Sequence, residues 1–216
     1  MIRNVLNVVY LAAGLLIALV VHEVARAWTA VRLGDQTPRT MGRLSLDPRP
    51  HVDPFGSVLL PGLLLLPVLF GRSLFLPFAY AKPLPVNPWG LRKPDRDVTL
   101  IALAGPAANI ALAFVVGALV RLTAVGSEVR VFLLACLEVT IVIGVLNLIP
   151  LPPLDGSRVV ARFLPPRARE FYQNADQYGA IIILVIFFII PGPINAFVGA
   201  VGGGICRLVA GAACGG

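Results

Sequence analysis

Charge is scarce in this chain. Only 13% of its 216 residues are charged, against 57% hydrophobic, and the mean hydropathy is +0.86. A soluble domain carries roughly a quarter charged residues, so the composition excludes an ordinary soluble domain and points to an integral membrane protein. Cysteine is nearly as sparse. Cys136, Cys206 and Cys214 form no C-x-x-C pair, which removes a thiolate metal site, and we assign no disulfide to an odd count without a motif. Cys136, in the middle of an apolar run, reads as a small buried hydrophobe. Histidine is confined to His22 and His51. No internal repeat is present, which argues against a transporter built from paired broken helices.

What is present is a series of long apolar runs. About twenty residues span the hydrocarbon core as a helix. Segments 5–31, 98–120 and 131–150 meet that length, and 179–190 and 194–211 flank the breaker Pro191-Gly192-Pro193. The first run is too long for a cleaved secretory signal, and it carries ionisable residues. Segment 57–80 is apolar but holds Pro61, Gly62, Pro67, Gly71 and Pro77, a poor continuous helix. The predicted architecture is an all-α membrane bundle in one domain over 1–216, with 37–80 irregular and a re-entrant Pro/Gly-rich segment near 57–80.

The net charge of +7 lies in short loops between apolar runs, so a positive-inside bias explains it better than nucleic-acid binding. If 57–80 dips in and returns, thirteen basic loop residues share one face and three (Arg3, Arg121, Arg130) the other. A full crossing gives ten against six. The rule favours the re-entrant reading, with the N-terminus outside. His22 and Asp155 then lie toward the cytoplasmic ends of parallel helices. Irregular backbone at membrane depth also implies a watery cavity or burial in protein. Trp28 and Trp89 fit an interfacial belt, and the Pro-rich 83–88 reads as an extended connector.

Inside the first run stands His22-Glu23-Val24-Ala25-Arg26. Ionisable residues at that depth are functional by default. The spelling is the H-E-x-x-H zinc signature with Arg26 at the second histidine; in that signature the histidines hold zinc and the Glu serves as general base. The best candidate for a further ligand is Asp155, in Pro153-Leu154-Asp155-Gly156, although Asp-Gly ahead of Ser157-Arg158 is also an ordinary turn or helix start.

Several stretches together resemble one family: His22-Glu23, Arg32-Leu33-Gly34-Asp35 to Gly42-Arg43-Leu44, His51-Val52-Asp53-Pro54-Phe55-Gly56, Ala81-Lys82-Pro83-Leu84-Pro85-Val86-Asn87-Pro88, Ala104-Gly105-Pro106-Ala107-Ala108-Asn109 and Pro153-Leu154-Asp155-Gly156. In order, over about residues 10–180, they are similar to the short bacterial branch of the site-2 proteases, intramembrane zinc metalloproteases. The resemblance implies zinc held by His22 and Asp155, with Glu23 as catalytic base. It implies that Asn109 and Asn147 line the substrate cavity, although Asn in a bundle also serves helix–helix hydrogen bonding. It further implies single-span membrane proteins as substrates and a bacterial inner or plasma membrane as the location. An exposed strand in 37–60 would hold an unwound substrate by β-addition.

Arg26 departs from the family pattern. A guanidinium has five donors and no lone pair, so it cannot ligate zinc. Three readings follow. The favoured one has zinc weakened or lost, Arg26 pairing with Asp155 or Glu23, and the chain acting as a pseudoprotease that binds transmembrane helices. In the second, His51 or Asp53 supplies the missing ligand. In the third, Arg26 is an altered residue in an otherwise active enzyme.

Overall fold

The computed structural model describes residues 2–72 and 76–214, the side chains at 173, 180, 186 and 212 apart. Residues 73–75, near the tip of the expected re-entrant segment, lie outside the described part. Among the described residues, four helices are long and apolar enough to cross a membrane: α1 (Ile2–Leu33), α4 (Pro94–Leu122), α5 (Glu128–Leu146) and α9 (Pro191–Ala210). Between them come α2 (Thr37–Thr40), α3 (Leu60–Leu69), α6 (Asp155–Ala161), α7 (Pro166–Ala175) and α8 (Gly179–Phe188).

α1, α4 and α5 pack on one another and form the core, and α9 leans on α4 and α5. Lipid is as apolar as a leucine side chain, so association depends on close fit rather than on the hydrophobic effect. Glycine supplies that fit at two crossings. A Cβ at Gly14 would lie 2.7 Å from Val139 Cγ2 and 3.0 Å from Cys136 Cα on α5, and one at Gly117 would meet Val209 on α9.

The segment expected to double back does so. A π-helical turn, Pro54–Leu59, leads into α3, and Asn4 Nδ2 donates to Leu69 O at 3.1 Å, which puts the end of α3 beside the start of α1. The chain then returns in extended form. Tyr80 N donates to Gly56 O at 3.0 Å, Ser57 Oγ to Tyr80 O at 2.8 Å and Lys82 N to His51 O at 2.8 Å, so the two ends of the segment meet.

Three expectations need correction. No strand occurs in 37–60 among the described residues; α2, turns and the π-helical turn fill it. Pro38, Pro48, Pro50 and Pro54 remove ladder donors there. The loop is tied instead by buried side chains: Arg43 donates to the carbonyls of Lys82 and Pro83, and Asp35 accepts from Thr37 N and Asn87 N. The third long helix stops at Leu146 rather than 150, because the residue before Pro150 is driven out of the helical region. Finally, Cys206 and Cys214 form a disulfide. Gly211, at φ 65°, ends α9 and folds the following turn back, which brings the two Cα atoms within 5.8 Å, inside bonding range.

Candidate active site

His22, Glu23 and Arg26 occupy one stretch of α1, where residues three and four apart share a face. All three are buried. Asp155 reaches them from α6, 133 residues along the chain, and its Oδ2 lies 2.8 Å from His22 Nε2. The Pro-rich bend 147–154 makes this possible. Gly156 N donates to Asn147 O at 2.7 Å, and a Cβ at Gly156 would collide with the carbonyls of Leu148 and Ile149. Asp155 does open a helix, as the first residue of α6 with Leu154 at the N-cap, but its carboxylate is not a cap: it is turned into the bundle toward His22.

α4 supports the histidine from behind. A Cβ at Gly105 would overlap the His22 ring, so the imidazole rests on bare backbone. Asn109 Nδ2 lies 3.2 Å from His22 Nδ1. With the amide donating to Nδ1, the ring proton sits on Nε2 and is donated to Asp155.

Arg26 completes the cluster. Its Nη1 donates to Glu23 Oε1 at 2.8 Å and its Nη2 lies 3.3 Å from Asp155 Oδ1. One guanidinium thus bridges the two carboxylates. Burial works to raise the Asp155 pKa, but the Arg26 charge and the His22 hydrogen bond outweigh it and hold the carboxyl below its usual range.

These residues line a cavity of about 340 Å³ together with Asn147, Tyr80 and Arg158. Asn147 is on the wall as expected, its Nδ2 donating to Ile143 O. Asn109 is fully buried behind His22 and not on the cavity wall. Glu23 is present, but its Oε1 is taken by Arg26. His51, the substitute ligand considered above, spends Nε2 on Ser45 O at 2.8 Å within its own loop, and Asp53 Oδ1 caps the backbone N–H groups of Phe55 and Gly56. His51 does not reach the cavity wall; Asp53 does, and its Oδ1 serves its own loop rather than the cluster. Sequence reading missed Arg158, which lies on the cavity wall 3.7 Å from Asp176. Its position three residues after Asp155, on the same face of a short helix, was the available signal.

Relatives decide the kinship. YwhC of Bacillus subtilis (strain 168), provisionally named a zinc metalloprotease, is 35% identical over 187 residues, which is 82% of this chain and 80% of YwhC. This chain belongs to the site-2 protease family. Rip2 of Mycobacterium tuberculosis (strain H37Rv), under the same provisional name, is 36% identical over 83% of this chain and 66% of Rip2. Rip2 of Mycolicibacterium smegmatis is 33% identical over 81% and 64% respectively. No family model and no solved structure matches the chain. By family resemblance, then, the chain is of the metalloendopeptidase kind, its relatives being named as zinc enzymes.

The residues present do not fit the family's zinc. Two zinc ligands at about 2.0–2.1 Å from a tetrahedral ion stand roughly 3.3 Å apart with lone pairs converging on the metal. Here His22 and Asp155 are 2.8 Å apart with a proton between them. Where a third ligand belongs there is a cation without a lone pair, and among the described residues no three His, Cys, Asp or Glu side chains form a metal-holding group.

Proposed function

We propose that this protein is a member of the site-2 protease family that binds single-span membrane segments in its cavity and does not hydrolyse them at a useful rate. The observation that carries this reading is the Arg26 guanidinium bridging Glu23 and Asp155 where the family holds its metal ion. The groups needed for hydrolysis are engaged with each other. Glu23 is tied through Oε1 to the Arg26 guanidinium rather than left facing the cavity. The lone pair that His22 would offer carries a proton given to Asp155. The cavity nevertheless remains, walled by the returning segment at Tyr80 and by Asn147, and it suits a peptide stretch that has lost its helical hydrogen bonds.

The cluster faces the cytoplasm in this reading. Two independent features support that orientation. The basic loop residues favour that face. The Cys206–Cys214 disulfide lies at the opposite end, where Arg121 Nη2 donates to Leu208 O at 2.7 Å, and disulfides persist in oxidising compartments.

Kinship and the convergence of His22 on Asp155 favour a second reading, hydrolysis by a residual enzyme. One experiment separates the two. Purified protein is assayed for zinc by mass spectrometry and, in liposomes, for binding and cleavage of a tagged single-span reporter, beside Glu23→Ala and His22→Ala. Binding without cleavage, and far less than one zinc per chain, is the expected result. Nearly stoichiometric zinc lost in His22→Ala, with cleavage lost in Glu23→Ala, would overturn the proposal.

A further inference from the structure

A second cavity, of about 500 Å³, opens between α1, α3 and α5 at the end where α1 begins. Its walls carry Asn4 and Asn7 of α1, Val68 of α3, Arg72 after it, and Leu134 and Glu138 of α5. It lies away from His22, near the contact in which Tyr10 OH donates to Glu128 Oε2 at 3.3 Å.

Glu138 is the unexplained residue in this cavity. It stands ten residues beyond Glu128, the first residue of α5, which is about 15 Å along the axis and hence near the middle of a bilayer core. Its flank is exposed. Among the described residues it has no hydrogen-bond or ion-pair partner. A carboxylate at that depth is expensive, and such residues face a partner charge or a watery cavity. Packing does not account for it either, since Leu137 and Val139 on either side are buried and already fill the interior.

We infer that Glu138 selects the membrane segments this protein binds, by pairing with a basic side chain near the middle of a single-span partner. This rests on the proposed function. Charge complementarity names the partner chemistry, and the cavity names its register. Arg72, exposed at the rim, repels a second cation placed near the membrane surface, whereas Glu138 attracts one placed deep. The Glu138 carboxylate would replace part of the water that a Lys ammonium loses on entering. Selection should therefore favour a central Lys over one at either end of the span.

The test is energy transfer in neutral phosphatidylcholine liposomes between labelled protein and labelled polyleucine spans. The spans carry a Lys at the centre, a Lys near one end, or no Lys. The central-Lys span should bind roughly three- to tenfold tighter than the all-Leu span, and the end-Lys span no tighter. Glu138→Gln should bind the all-Leu span as wild type does, which serves as the folding control, yet lose the preference. Glu138→Asp should retain part of it. A preference that survives in Glu138→Gln, or none in wild type while the all-Leu span still binds, overturns this inference alone. Failure of every span to bind overturns the proposed function with it. Loss of the preference on adding arginine amide in solution would reassign the cavity to small soluble cations and also overturn it.

Discussion

Replacing Arg26 by Met keeps most of the side-chain volume and removes the charge. The two carboxylates it bridges, Glu23 and Asp155, are 3% and 4% exposed, so neither gains water when the guanidinium goes. Removing one partner of a buried ion pair costs about 3–5 kcal/mol. At roughly 2–4 °C per kcal/mol for a chain of this size, Tm should fall by about 6–20 °C. Arg26→His should fall similarly in the presence of a chelator, because a neutral imidazole leaves the same two negative charges facing each other. The variants part when zinc is added. Position 26 then offers a lone pair beside His22 and Asp155, and a metal at a thousandfold excess over its Kd returns about 4 kcal/mol. Thermal unfolding in detergent, followed by tryptophan fluorescence with and without zinc, measures both effects. Zinc should raise the Tm of Arg26→His and leave Arg26→Met unchanged. An Arg26→Met protein that melts with wild type would refute the bridge. A zinc-insensitive Arg26→His would refute the idea that only residue 26 keeps the metal out.

Further consequences follow from the scaffold around the cluster. Adding Gly105→Ala to Arg26→His drives a methyl group into the His22 ring and should abolish the zinc-dependent rise in Tm, read in the same assay. Gly156→Ala collides with the carbonyls of Leu148 and Ile149 and should cost about 1–3 kcal/mol, measured as a lower Tm in wild type without any metal. Asn109→Leu frees the ring of its amide donor and should shift the His22 tautomer, visible in ¹⁵N chemical shifts of labelled histidine. The Asp155 carboxyl is held below its ordinary value of about 3.9, so its stabilisation is present above the unfolded value and vanishes as pH falls through the folded one. The gap in Tm between wild type and Asp155→Asn should stay constant from about pH 7 to about pH 4.5 and close below that. A gap that narrows near neutrality would argue against the Arg26 pairing.

Much of the arrangement was legible because it depended on period, depth and charge. A His-Glu-Arg trio seventeen residues into an apolar run has few uses except a buried site, and loop charge placed the ends of 131–150 and 5–31 on one side. A pairing of Arg26 with Asp155 or Glu23 followed from the same reasoning; the structure has it with both. What was not legible depended on rotation and local closure. Whether Asn109 faces the cavity or the back of His22 is a matter of a fraction of a turn of α4, which spacing does not fix. The strand expected in 37–60 failed because Arg43, His51 and Asp35 satisfy the loop's backbone through side chains, a pattern without periodicity. The Cys206–Cys214 bond needed the left-handed Gly211 to bring together two residues that a continued helix would have carried apart. Arg158 went unnoticed because an Arg in a basic loop looks like topology rather than lining.

Neither Gly105, Asn109 nor Gly156 touches residue 26 in the interactions that hold the imidazole and the Asp155 carboxylate in place. The frame and its occupant are therefore separable. A lineage carrying this frame could lose or regain hydrolysis by changing one side chain while the rest of the fold stays put, and a member without chemistry keeps the shape of one that has it. On the proposed reading, such a protein would occupy the same membrane segments as an active relative and keep them uncut.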